Sequence, residues 1–272
     1  MRIDETEKGL SLIGWYRDGR STSEDQLLLN ALASEVLEHD SAGTLNETQL
    51  TELSFRAFDI LYSGLLDPGE RAALVTFHYA ESDSLRPDCP LVDESILAYY
   101  RGYHAVALSL GFGVLERYLR SLSGWTKTDP KPSFSMLISA VKKLPSSDWR
   151  EVSSRTLEVA YEWYRTTEPP PLQFNRHGVH HGLRGRTELD RMNFARLLGL
   201  LDSLVAAETG RLRRGFVANP AFEMRLDAYK QCIALRNEQV LFDSGVVGGE
   251  LANKRLQLNS DPIASERSGQ VL

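Results

Sequence analysis

The chain predicts an all-α protein, a helical bundle, and three observations lead there. Apolar residues recur at three- and four-residue spacing along most of the length. No stretch shows the strict apolar–polar alternation of a half-buried strand. Prolines, glycines and short polar residues fall at the ends of the periodic stretches, where helices start and stop. With 272 residues the chain is long enough to bury a substantial core as one large domain or two small ones.

Taken in order, residues 1–22 carry little periodicity and predict an irregular arm, with Trp15 and Tyr16 placed to dock on the body. Ser23 followed by Glu24 and Asp25 marks a helix start, with acids in the first turn. Leu27, Leu28, Ala31, Leu32 and Val36 carry that helix to about Glu38. Asn46 opens a second helix, with Leu50, Leu53, Phe58, Leu61 and Tyr62, which Asp67-Pro68-Gly69 ends. A third is expected from Glu70 to Ala80. Two prolines make the stretch from Glu81 to Pro90 the best internal linker, so residues 1–90 are read as an N-terminal helical region of unassigned role.

Residues 91–243 then read as the main bundle. Its longest helix is expected from Asp93 to Leu122, with Ile96, Tyr100, Tyr103, Ala107, Leu110 and Val114 on one stripe. Gly111 and Gly113 each cost about 1 kcal/mol relative to alanine in such a helix, and close approach of a neighbour is a reason to keep them. A Pro- and Lys-containing connector, Thr126 to Pro132, leads to a short helix from Phe134 to Leu144. Asp148 starts another, with Leu157, Ala160, Tyr161 and Tyr164 inward, which Pro169-Pro170-Pro171 must end. Thr187 leads a Leu-rich helix, and a last one covers about Pro220 to Phe242. Residues 244–272 are rich in Gly, Ser and Asn and read as a flexible tail.

Composition narrows the function classes. Cys89 and Cys232 have no CxxC spacing, which fits reduced thiols in the cytoplasm. The charged first residues offer no secretory leader, and no apolar run reaches the roughly 20 residues of a membrane span. A net charge of −6 argues against indiscriminate coating of nucleic acid. Locally the balance inverts. Between Arg176 and Arg214 stand eight arginines and no lysine, against four acids, leaving that segment at +4. A solvated helix face is the bland explanation; a phosphate-binding face is the sharper one.

The sharper one gains from Phe174-Asn175-Arg176-His177-Gly178-Val179-His180-His181-Gly182, which holds three of the chain's six histidines. Three readings compete. His177 and His181 lie at i and i+4, a spacing that puts two imidazoles on one helix face for a metal. Gly178 stands where an HExxH glutamate would be, and a third ligand would have to be His78 or His104, brought in by folding. The second reading is acid–base chemistry on a phosphodiester. Imidazole titrates near neutrality, arginine offers a fork of donors to phosphate oxygens, and a helix N-terminus adds oriented N–H groups. Arg176 and His181 lie about 140° apart on an ideal helix, so they flank a groove with His177 between them. In the third, Asn175 caps a helix and the histidines merely pack or face water.

The string Asn175-Arg176-His177, Val179 and His181-Gly182 resembles a bacterial subgroup of the HEPN superfamily, whose motif reads roughly N-R-H-x-x-x-H-G before a Leu-rich helix. Leu115-Glu116-Arg117-Tyr118-Leu119-Arg120 is similar to an earlier bundle helix of such proteins, and the resemblance covers roughly residues 93–210. It implies a metal-independent endoribonuclease without cofactor that leaves a 2′,3′-cyclic phosphate. It also implies a homodimer with a composite active site, and a toxin, phage-defence or RNA-processing role with an antitoxin or other protein partner. Arg176 would hold the scissile phosphate and His181 would be the acid–base residue. His177 and Asn175 would orient them, with His180, Arg184 and Arg186 at the substrate. His180 stands where the subgroup has an apolar residue, and it shares a helix face with Arg176, so spacing alone favours His180 over His181 as the proton carrier. The alternatives are a catalytically silent helical module that binds RNA or protein, and a metal-dependent hydrolase using His177 and His181.

Overall fold

Helix boundaries follow the punctuation of the chain. The computed structural model describes residues 5–15, 23–161, 187–210 and 219–243, and no strand occurs among them. The all-α expectation holds. The helices are α1 (Glu5–Leu12), α2 (Ser23–Ser41), α3 (Glu47–Leu66), α4 (Pro68–Ala73), α5 (Cys89–Tyr100), α6 (His104–Leu122), α7 (Phe134–Val141), α8 (Ser147–Ala160), α9 (Thr187–Thr209) and α10 (Pro220–Asp243). Asn46 and Gln49 form a reciprocal cap for α3, each side-chain oxygen accepting from the other's backbone N–H at 3.1 and 3.2 Å. Pro68 stops α3 and opens α4, whose first turn is capped by Asp67 Oδ1 accepting from Glu70 N at 2.9 Å. Ser133 and Asn219 cap α7 and α10 in the same way.

Two expectations change. The single rod from Asp93 to Leu122 is instead two helices, α5 and α6, folded against each other. The break is Gly102, at φ +88°. Tyr103 N donates to Ala98 O and Gly102 N to Tyr99 O, both at 2.9 Å, the paired bonds of a Schellman ending that needs a left-handed residue at Gly102. Breaking the helix also breaks the stripe. Ile96, Tyr100, Ala107 and Val114 are buried, whereas Tyr103 and Leu110 face outward because α6 restarts in a new phase. The N-terminal arm is the second change, since residues 5–12 are helical. Trp15 docks as expected, its indole N–H donating to Ser54 O at 2.9 Å, and Tyr16 lies outside the described residues.

α9 is the axis of the bundle. It packs on α3, α6 and α8, and nearly every side chain from Met192 to Ala207 is buried. A helix covered on all sides has no need of a polar face, which is why its apolar residues spread round the whole circumference. Gly111 lets α6 approach it: a Cβ there would collide with Leu197 Cδ2. At Gly113 a Cβ would meet open space. α1 lies on α2, α2 on α3, α7 joins α6 to α8, and α10 packs on α4 and α5. One cluster of buried side chains runs from Leu10 through Cys232. The stretch expected as a linker contributes Leu85 to that cluster, and Ser82 beside it is buried too.

Candidate functional site

The seven residues singled out in the sequence, Asn175, Arg176, His177, His180, His181, Arg184 and Arg186, all lie outside the described residues. So does the tail of residues 244–272. What is described is the frame on either side. The stretch leaves α8 just after Tyr161, which stacks on Phe134 with ring centroids 5.1 Å apart, and returns into α9 at Thr187. α8 and α9 pack against each other. Of the two further histidines weighed as metal ligands, His78 is buried in the turn after α4 and His104 opens α6. Among the described residues no three His, Cys, Asp or Glu side chains are grouped to hold a metal ion.

Three carboxylate hubs that the sequence reading did not find organise the interior, and two of them spend charge counted along α9. Asp202 accepts from Arg71 Nη1 and Nη2 at 3.3 and 2.9 Å and from the Tyr79 hydroxyl at 2.6 Å, all buried. The backbone between the donors makes this possible. Residues Leu74–His78 form a π turn. Eight residues of ideal α-helix would put Tyr79 about 80° round from Arg71, and the one residue absorbed by a π bulge brings that to about 20°. Burial alone would lower the Arg71 pKa, but the Asp202 charge outweighs it and the guanidinium is held charged.

Glu208, in the last turn of α9, accepts from Tyr118 OH at 2.9 Å, from Ser84 N at 3.3 Å and from the Ser82 hydroxyl. Burial and the Glu208 charge together push the Tyr118 phenol well above its ordinary value. Asp93 on α5 pairs with Arg225 at 2.7 Å and accepts from Tyr229 OH, tying α5 to α10. In each hub a tyrosine satisfies a carboxylate lone pair that the cation or serine leaves over. Acids inside apolar runs, such as Leu201-Asp202-Ser203-Leu204, were the available signal.

Arg196 is internal as well. It donates to Ile13 O at 2.7 Å and Asn193 Oδ1 at 3.0 Å, and lies 4.9 Å from the Trp15 ring centre. It fastens the N-terminal helix to α9.

Arg191, about a turn and a half nearer the start of α9, is different. It is half-buried, with its guanidinium 5.3 Å from the Phe58 ring centre and 5.2 Å from that of Tyr62. Its Nε donates to Tyr99 OH at 3.2 Å. Tyr99 stacks on Phe194 and contacts His104, both at 5.0 Å. Arg236 of α10 comes to the same place, its Nε 3.2 Å from where a Cβ on Gly102 would sit. Burial first, then the Arg236 and Arg191 charges, push the His104 pKa down to about 4, so the ring is neutral at physiological pH. Two arginines, a neutral imidazole and a set of tyrosines thus meet where α3, the α5–α6 turn, α9 and α10 converge. No family profile, curated protein or solved structure matches this chain. No described helix is long and apolar enough to cross a membrane.

Proposed function

We propose that the protein is a metal-independent endoribonuclease of HEPN type. The observation that carries this is the string Asn175-Arg176-His177-x3-His181-Gly182, followed after four residues by the helix α9. An all-helical frame, with that string attached to its most buried element, supports the reading: sites joined to rigid elements hold their geometry best. In the proposed reaction the ribose 2′-oxygen attacks phosphorus and the 5′-oxygen leaves, giving a 2′,3′-cyclic phosphate and a 5′-hydroxyl end. His181, as the acid–base residue, takes the 2′-hydroxyl proton and returns it to the leaving 5′-oxygen. Arg176 binds the phosphate oxygens as their charge builds. His177 and Asn175 orient the pair, His180, Arg184 and Arg186 contact the strand, and two chains bring two such sets together in one cleft.

The test is incubation of the purified protein with total RNA in EDTA. Cleavage with cyclic-phosphate ends that is lost in both Arg176→Ala and His181→Ala is the expected result, and expression of the wild type should slow growth while the two variants relieve it. Activity that appears only on adding metal overturns the mechanism. Binding without cleavage makes the protein a silent RNA-binding module.

A further inference from the structure

The cluster around Arg191 and Arg236 has no part in the proposed cleavage, and its composition is unusual for a chain with net charge −6. Among the described residues neither guanidinium pairs with a carboxylate, although Asp190 precedes Arg191 and Glu238 lies close to Arg236 in sequence. Arg191 has only phenol oxygens and ring faces for company. Arg236 rests against Gly102, whose missing side chain leaves it room. Each other described arginine of the interior has an acid or a carbonyl: Arg71 has Asp202, Arg225 has Asp93, and Arg196 has Ile13 O. Nor does the neutral His104 compensate them, and its buried Nε2 has no hydrogen-bond partner. Two exposed rings belong to the same region, Tyr62 at 37%, which lies against Arg191, and Tyr103 at 62%. Tyr103 directly follows Gly102 in the turn that receives Arg236.

Unpaired arginines beside exposed aromatic faces match one ligand chemistry, a phosphate joined to a flat base. Arginine binds phosphate oxygens through its planar fork, and a tyrosine face stacks any base with little regard to sequence. We infer that this cluster is a nucleotide subsite for single-stranded RNA, with Arg191 and Arg236 on the phosphate and Tyr103 stacked on the base. The identity of the strand as RNA rests on the ribonuclease reading; the subsite itself uses none of its catalytic residues.

The experiment measures binding of a labelled oligouridine to the full chain carrying Arg176→Ala and His181→Ala, so that the strand stays intact. In that background Arg236→Ala should weaken binding about tenfold and reduce the slope of log affinity against log salt by about 0.7, the value for one lost phosphate contact on a single strand. Tyr103→Ala should weaken binding roughly fivefold or more with the slope unchanged. Uridine monophosphate should compete, and inorganic phosphate should compete far less. Arg236→Glu, at a half-buried position, should weaken binding more than Arg236→Ala, with circular dichroism checking that each protein is folded. Unchanged affinity in Arg236→Ala and Tyr103→Ala overturns the subsite, as does equal competition by inorganic phosphate with no effect of Tyr103→Ala. Cleavage by the wild-type chain is scored separately, so RNA cleavage with an unaffected binding constant sinks the subsite alone. Binding with the stated dependences but no cleavage sinks the ribonuclease alone.

Discussion

Replacing Asp202 by alanine removes one carboxylate and strands three donors. Arg71 is 0% exposed and Asp202 2%, so water cannot replace what is lost. The guanidinium would keep its charge with no counterion, and the Tyr79 hydroxyl would lose its acceptor at 2.6 Å. Breaking a buried ion pair from one side costs about 3–5 kcal/mol. Against a total stability of about 5–15 kcal/mol, that is a third or more of the margin. Arg71→Met should cost a similar amount for the converse reason, a buried carboxylate deprived of its guanidinium. The double variant Arg71→Met/Asp202→Leu removes both charges and fills the space, and its cost should fall to about 1 kcal/mol or below. Urea unfolding followed by circular dichroism gives all three values and hence the coupling energy. Single costs below about 1 kcal/mol, or a double variant whose loss is simply the two single losses added, would refute the view that this pair is an interdependent buried unit.

Two further outcomes follow from the same packing. Gly111→Ala should destabilise by about 1–3 kcal/mol, because its Cβ meets Leu197 in a filled core, while Gly113→Ala should stabilise by up to about 1 kcal/mol in open space; matching signs would contradict the α6–α9 contact. His104 has a folded pKa of about 4 against about 6.5 unfolded, so its neutral form contributes stability that is full above pH 6.5 and is lost as pH falls towards 4. Between pH 7 and 5 the shift corresponds to about 2 kcal/mol, cut to roughly 1 kcal/mol by the exposed part of the ring, and His104→Gln should flatten the stability profile by that amount; an unchanged profile would refute it.

How much of this was legible beforehand depends on what each feature required. Class and most helix ends needed only local chemistry, and Asn46, Asp67, Ser133 and Asn219 behave as their positions imply. Gly111 was readable as a close approach because a glycine amid large apolar residues needs a reason. Gly102 was missed, since the apolar spacing carries through it at the right period and periodicity cannot see a left-handed residue. α1 was missed because its burial comes from packing on α2 and not from its own pattern: Gly9 packs against the Ala33 backbone, and just beyond the helix Ile13 O receives Ser54 and Arg196. Asp202 and Arg71 are 131 residues apart, and no local rule joins them.

The same distance limits what a charge count can say. The +4 of the segment from Arg176 to Arg214 treats Arg196 as equal to Arg191, yet Arg196 is sealed beneath the N-terminal helix and cannot meet a ligand. It treats Asp202 and Glu208 as neutralising the face, yet both are turned inward to Arg71, Tyr79, Tyr118 and Ser82. Asp202 is neutralised within a few ångströms by Arg71, whereas Arg196, whose partners are neutral, is kept from a strand passing outside by its burial. What a surface offers is set by the charges whose partners are neutral and whose heads still reach water. On the described surface around α9 that test selects Arg191 and Arg236, and it rejects Arg196, Arg71 and Arg225 although all five are arginines in one bundle.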